Sequence, residues 1–408
     1  TNHLGVARDL AAALKINYGH SGEVCVPEVS KFKVDNHSLP IEVSVENTEA
    51  CPRYSGVVIK GITVGESPDW LKRRLQAVDV RPINNIVDVT NFVLHELGQP
   101  LHAFDLNEIK GRKIIVKTLP AGSKFLSLDE TERTLHAEDL MICDGDSNGM
   151  CIGGVFGGLN SGVKDSTVNI FLEAAHFSPT YIRRSSMRHN LRTDAAKVFE
   201  KGSDPNVTVF ALQRAALLMQ ELAGGEIASE IIDIYPAPVV PQQITVNYTY
   251  VNTLLGVSLS PAEVQQILTA QGMSIVSADE KSFTVAVPTN KVDVIRPADI
   301  VEEILRIYGF NRVEISEKFS ISAALAPNPD PSLVRNAIGD FLAAAGFNEI
   351  MAVSLSQSRY YRQAFKNIAD EELVYINNTS NVQLDIMRPD MLMSGLEAIV
   401  HNQNRQQT

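Results

Sequence analysis

Residues 81–105 read Arg-Pro-Ile-Asn-Asn-Ile-Val-Asp-Val-Thr-Asn-Phe-Val-Leu-His-Glu-Leu-Gly-Gln-Pro-Leu-His-Ala-Phe-Asp, an apolar stretch crowded with groups that need hydrogen-bond partners. If buried, Asn84, Asn85, Asp88, Thr90, Asn91 and His102 each require one, so the segment either carries an internal polar network or lines a polar pocket. For His102 taken alone, a satisfied structural histidine is the commoner reading. A zinc-protease motif is excluded, because His102 lies seven residues after His95-Glu96 rather than four after a single histidine. Around this stretch the patterns interleave. Ile41, Val43 and Val45 alternate as in a half-buried strand, 54–64 and 113–118 also read as strands, and Asp69–Gln76 reads as a helix. Such mixing predicts an α+β domain over residues 41–235.

Towards the N-terminus, Leu4, Ala7, Leu10, Ala11 and Leu14 recur at helical spacing. With no initiator methionine, residues 1–40 read as the remnant of a preceding domain. In the other direction a helix begins near Pro205 and stops at Gly224-Gly225, and Pro236, Pro238 and Pro241 form a linker. A smaller unit over 243–315 follows. It has a strand at Ile244–Val246, a capping box Ser260-Pro261-Ala262-Glu263 opening a helix that stops at Gly272, a hairpin (Ser274–Val276 with Phe283–Val287), and a helix from Pro297 to Gly309. Alternating prolines in Ala326-Pro327-Asn328-Pro329-Asp330-Pro331 mark a further boundary. From 325 to 408 an amphipathic helix (Leu333, Val334, Ile338, Phe341, Leu342), strands near Glu349–Leu355 and Leu373–Ile376, and a helix after Met391 are expected.

The 408 residues are 44% hydrophobic and 21% charged, ordinary for two to four globular domains. A net charge of −12 argues against non-specific coating of nucleic acid and leaves room for a local basic surface. Cys25, Cys51, Cys143 and Cys151 form no C-x-x-C pair and read as reduced, non-ligand thiols. No signal peptide or run of ~20 apolar residues is present, so a cytoplasmic protein without membrane contact is expected.

Three further segments could carry chemistry. In Gly153-Gly154-Val155-Phe156-Gly157-Gly158 the missing side chains permit either tight turns or close approach of a ligand, and Glu173 at the end of an apolar run needs a partner or caps the next helix. Residues 181–201 hold six basic side chains, Arg184 and Arg188 among them, against two acidic ones; this is a phosphate-binding surface or a balanced helix face. Asp299, Glu302 and Glu303 share one helix face with Asp293 just upstream, a set that suits magnesium or merely complements the helix dipole.

These stretches resemble bacterial phenylalanyl-tRNA synthetase β subunits over essentially the whole chain. The match is strongest at Arg81–Asp105, Gly153–Phe177, Arg192–Ala196 with Phe199–Gly202, and Asp299–Phe310. The resemblance implies an editing domain at 41–235, a small DNA-binding-like domain at 243–315 and a truncated class II synthetase-like module from 325. It implies hydrolysis of tyrosine wrongly attached to tRNA(Phe), by a chain that does not itself aminoacylate. His102, Gly157, Glu173, Thr193 and Ala195 match the editing pocket, with Asn85 and Thr90 as substrate contacts; the charge of the basic stretch, apart from the resemblance, makes Arg184 and Arg188 expected contacts to the tRNA acceptor end. Asp293, Asp299, Glu302 and Glu303 match a magnesium site shared with an α subunit in a heterotetramer of two α and two β chains; ATP serves the whole enzyme and is not bound here.

The hydrolysis would turn on one hydroxyl. Glu173 in an apolar pocket would accept it from tyrosine and be left unpaired by phenylalanine. Backbone amides near Gly157–Gly158 and the Thr193–Ala195 turn would orient ester and water, with His102 positioning the substrate. The competing reading is a tRNA-docking and subunit-assembly module without chemistry.

Overall fold

A computed structural model describes residues 2–315, 317–318, 320–321, 329–365 and 368–406. The chain divides into residues 1–315 and 316–408, and each unit is described by itself.

The first unit begins with α1 (His3–Tyr18), β1 (Glu42–Val45), β2 (Arg53–Lys60), α2 (Asp69–Gln76), α3 (Asn85–Leu97), β3 (Leu101–Asp105) and β4 (Lys113–Thr118). A hairpin of β5 (Lys124–Leu126) and β6 (Glu132–Thr134) precedes β7 (Leu140–Cys143), β8 (Gly149–Ile152), β9 (Phe156–Gly157) and β10 (Asn169–His176). Then come α4 (Pro179–His189), α5 (Asp194–Phe199), α6 (Thr208–Ala223), β11 (Glu226–Ile227) and β12 (Ile232–Ile234).

Two five-stranded sheets result. One runs β1-β4-β7-β8-β9 and the other β11-β2-β10-β3, with β12 also on β2. The centre of the second sheet explains its layering. Side chains alternate along β10, so Ile170, Leu172 and Ala174 pack with buried residues of α3 and α6, while Phe171 and Ala175 pack with the first sheet's Ile114, Val116 and Ile142. Glu173 falls on the Phe171 face, between the two sheets.

The 81–105 stretch combines both readings of its polar groups. Its middle is α3, a helix whose pattern was masked by polar residues. Asn84 caps it by accepting from Ile86 and Val87 N–H, Asp88 takes the Ser67 hydroxyl at 2.6 Å and the Ile83 N–H, and Thr90 donates to Val87 C=O. That is the internal network; His102 on β3 is the pocket.

The expected 54–64 strand stops at Lys60, where Gly61 turns the chain at φ 72°. Helix α1 packs on both parts of this unit: Leu4 joins the α3/α6 core, Ala12 joins the core of the smaller part, and Asp9 pairs with Arg306 at 2.7 Å.

The smaller part comprises β13 (Gln242–Asn247), α7 (Tyr248–Leu255), α8 (Pro261–Ala270), β14 (Ser274–Ala278), β15 (Ser282–Val287) and α9 (Pro297–Tyr308), with sheet order β13-β15-β14. The capping box of α8 forms, whereas α7, only eight residues long and unannounced by proline, escaped the sequence reading.

The second unit holds α10 (Pro331–Ala344), β16 (Leu355–Ser356), α11 (Ser358–Ala364), β17 (Ile386–Met387) and α12 (Leu392–Gln403). The strand expected at 373–376 is reduced to one bridge, Tyr375 to Ile386, and that near 349–355 to the two residues of β16, paired with β17. Of the proline-rich boundary, Ala326, Pro327 and Asn328 lie outside the described residues.

Candidate active site

Antiparallel pairing of β10 with β3 sets Glu173 directly opposite His102 on one face of the sheet. Across from them the β9 strand presents Gly157, whose missing side chain matters: a Cβ there would sit 3.4 Å from His102 Cε1. Thr193 and Ala195 approach at the start of α5. Thr193 caps that helix by accepting from Ala196 N–H, and its hydroxyl donates to Val155 C=O at 2.8 Å, which ties α5 to the glycine-rich turn. All five residues, with Thr90, line one cavity of about 480 Å³ whose walls include Val87, Leu94, Leu101, Cys151, Val155, Phe156, Phe177 and Phe199.

The electrostatics of this cavity follow from burial without a cation. Burial pushes the Glu173 carboxyl up to about 8, opposed by one hydrogen bond, from Tyr54 Oη to Oε2 at 3.1 Å. Burial likewise brings His102 down to about 4, and its Nε2 has no partner among the described residues. Both groups are therefore mainly uncharged at neutral pH. The expectation of a bare carboxylate is corrected accordingly, as is the alternative that Glu173 caps the next helix: it sits within β10. Tyr54 was missed by sequence reasoning. The available signal was its place in a strand of buried residues, where a phenol needs a partner.

Other expectations move. Asn85 is not in the cavity wall, since its amide donates to Thr63 and Leu222 C=O and accepts from Gly65 N–H; Asn84 and Asn91 line the wall instead. The Gly158 N–H is bonded to Met150 C=O at 2.8 Å and cannot orient a substrate. Arg184 and Arg188 both pair with Glu138, and Arg188 also with buried Asp139, away from the cavity. Arg192, on the same segment, is exposed and makes no ion pair among the described residues. A second crevice, of about 360 Å³, lies between Gly202–Pro205 and Val287–Ile295; it is mostly apolar and contains none of the candidate editing residues.

The four carboxylates of the smaller part do not fit a magnesium ion in this chain. Asp299 folds back to accept from the Ile295 and Arg296 N–H groups and the Arg296 guanidinium, which holds its carboxyl down at about 2. Glu303 is taken by Lys291 and Arg306. Asp293 and Glu302 remain exposed, and no group of three or more metal-ligating side chains converges among the described residues. The helical spacing was read correctly, but Asp299 and Glu303 each meet a nearer cation, and Asp299 two backbone N–H groups as well.

Comparison with known proteins places these features. Family models described as B3/4 domain, tRNA synthetase B5 domain and phenylalanyl tRNA synthetase beta chain CLM domain match residues 50–224, 244–310 and 315–408. The chain is 45% identical over 405 residues to the phenylalanine–tRNA ligase β subunit of Bacteroides fragilis, covering 99% of this chain and 49% of that one. Against the Bacteroides thetaiotaomicron and Thermotoga maritima subunits of the same name, identity is 47% over 407 and 36% over 404 residues, with 99% of this chain and 49% of each relative covered. It spans about half the length of the curated relatives it matches. A Pyrococcus horikoshii β-subunit fragment matches with a TM-score of 0.34 and 17% identity over 73% of this chain and 80% of that one, too distant to carry an argument.

Proposed function

Because the chain belongs to the phenylalanyl-tRNA synthetase β-subunit family, we propose that its residue 41–235 domain hydrolyses tyrosine esterified to phenylalanine tRNA. The observation that carries this reading is the Glu173–His102 pair, uncharged and facing an apolar cavity. Phenylalanine and tyrosine differ by one hydroxyl, which a site exploits only by hydrogen-bonding it and leaving a buried polar group unpaired in its absence. A neutral Glu173 offers the phenol oxygen a donor as well as an acceptor, and phenylalanine leaves that capacity unmet at a cost of about 1–3 kcal/mol.

The ester is already activated, so positioning contributes more than a protein nucleophile. His102 stays uncharged and offers the unpartnered Nε2 to substrate or water. Asp194 and Ala195, whose N–H groups at the start of α5 lack intrahelical partners, line the cavity and would be the donors nearest an ester bound there. Thr193 contributes by holding that turn, its own hydroxyl being engaged.

In this reading tRNA(Phe) is the substrate carrier, and an α subunit completes a cytoplasmic heterotetramer of two α and two β chains that uses ATP and magnesium for aminoacylation. The test is to incubate the chain with tyrosyl- and phenylalanyl-tRNA and follow ester loss. Faster loss of the tyrosyl ester is expected; background rates for both would favour a docking module without chemistry.

A further inference from the structure

Tyr54 has no exposed surface, and its hydroxyl is the only described group that hydrogen-bonds the Glu173 carboxyl. We propose that Tyr54 is the positioning residue for the tyrosine-selecting acid: by donating to Oε2 it fixes the carboxyl rotamer and leaves Oε1 as the oxygen presented to substrate. The inference rests on the hydrolytic reading above and deepens it.

The sheet register makes Tyr54 the side chain that can do this. On β2, Gly56 lies directly opposite Glu173 and Tyr54 opposite Ala175, so Tyr54 is the diagonal neighbour on the same face. Position 56 cannot compete, because a Cβ there would lie 2.0 Å from Phe171 Cζ; the aromatic ring occupies that space. A glutamate side chain has rotamer freedom that a defined site must remove, and one hydrogen bond from a rigid phenol held in the core removes it.

The bond also places the proton. Tyr54 remains a phenol, since burial and the neighbouring Glu173 push its own ionisation well up. While it donates to Oε2, that oxygen acts as the carbonyl of the neutral acid, and the acid proton resides on Oε1. The other titratable groups around the carboxyl are His102 on β3, Cys151 on β8 and Cys51 beside β2; burial holds the first neutral and both thiols protonated. None supplies a competing charge.

Tyr54→Phe keeps the ring and removes the donor. In ester-loss assays the preference for tyrosyl- over phenylalanyl-tRNA is expected to fall about tenfold, the worth of one net hydrogen bond. In the free protein, the Glu173 titration midpoint, read by carbon-13 NMR of labelled glutamate, is expected to rise, because the Tyr54 bond lowers it. Installing 4-aminophenylalanine at position 54 restores a donor and should recover most of the preference. A folded Tyr54→Phe chain with unchanged preference overturns the positioning role. So does one that cannot fold, which assigns the hydroxyl to stability. If the unaltered chain shows no preference, the hydrolytic reading itself fails; if it does and Tyr54→Phe matches it, only the role of Tyr54 fails.

Discussion

The two acidic sites of this chain, Glu173 and the Asp299–Glu303 group, are both carboxylates on regular elements, yet their surroundings drive them in opposite directions. Glu173 sits in a sheet with a phenol, thiols and a neutral imidazole around it, and its proton is retained up to about 8. Asp299 meets two backbone N–H groups and Arg296, and releases its proton near 2. An acid that has found its cation is finished chemically; an acid denied one still has hydrogen-bonding capacity to offer a ligand. The same contrast separates His102, with an unpartnered nitrogen, from His189, whose Nε2 lies 2.7 Å from buried Asp139.

The largest effect that tests this contrast is steric. Gly157→Trp places an indole where a Cβ alone would already be 3.4 Å from His102. Hydrolysis of tyrosyl-tRNA is expected to fall by on the order of a hundredfold or more, since ester and water can no longer reach their places. Thermal melts must show the variant folded. A folded variant that retains full activity moves the reaction out of this cavity.

Next is the protonation of the pair. Glu173 has a folded pKa raised from 4.5 to about 8, so its stability contribution is complete below about 4.5 and is lost as pH rises to 8. For His102 the folded pKa drops from 6.5 to about 4, so its contribution is complete above about 6.5 and is lost as pH falls to 4. The two oppose each other between about 4.5 and 6.5, and from 6.5 to 8 Glu173 acts alone and stability declines. Glu173→Gln should abolish that alkaline decline, on the order of a few kcal/mol, while reducing discrimination against phenylalanyl ester. Parallel pH–stability curves for variant and unaltered chain would show that Glu173 is ionised in the folded state.

How much of this was legible in the sequence varies with the range of the interaction. The helices with local signals were readable: Ser260 and Glu263 cap α8 within four residues, and Pro297 opens α9. The residues that line the cavity were named through the family resemblance. Their physical state was not, because it depends on Tyr54 meeting Glu173 across 119 residues and on Gly157 meeting His102. For the carboxylate set, the pairing of Asp299 and Glu303 was hidden for the same reason. Spacing identified its helix face, but whether those acids were free depended on Lys291 and on the way Asp299 turns back to Arg296. Asn85 was misplaced because, as the first residue of α3, it sends its amide to the Thr63 and Leu222 carbonyls, while the extended cap Asn84 lies at the cavity wall.

On the carboxylate side, magnesium at millimolar concentration is expected to leave the melting temperature unchanged and give no heat in titration calorimetry. Glu303→Gln should cost about 1–3 kcal/mol, because it leaves Lys291 and Arg306 with less compensation at a partly buried site. Micromolar magnesium binding by the unaltered chain would break the comparison with Glu173, since acids described as satisfied would then be available.

The smallest expected effects divide two neighbouring arginines. Arg188 pairs with Asp139, whose side chain is fully buried and also takes the Ser185 hydroxyl at 2.6 Å. Removing that guanidinium leaves a buried carboxylate with one cationic partner fewer, so Arg188→Ala should destabilise by about 1–3 kcal/mol. Among the described residues Arg184 reaches only Glu138, at 3.2 Å, with 57% of its own side chain exposed. Such a pair contributes little, and Arg184→Ala should change stability by less than about 0.5 kcal/mol. Neither arginine is then free for phosphate, so the salt dependence of tRNA binding should keep its slope in both variants. Arg192→Ala, which removes an exposed cation without an ion pair among the described residues, should lower that slope by up to about one unit. A slope reduced in Arg184→Ala and unchanged in Arg192→Ala would mean that the Glu138 pair opens for tRNA, and that partnership in the free chain does not by itself exclude a cation from binding.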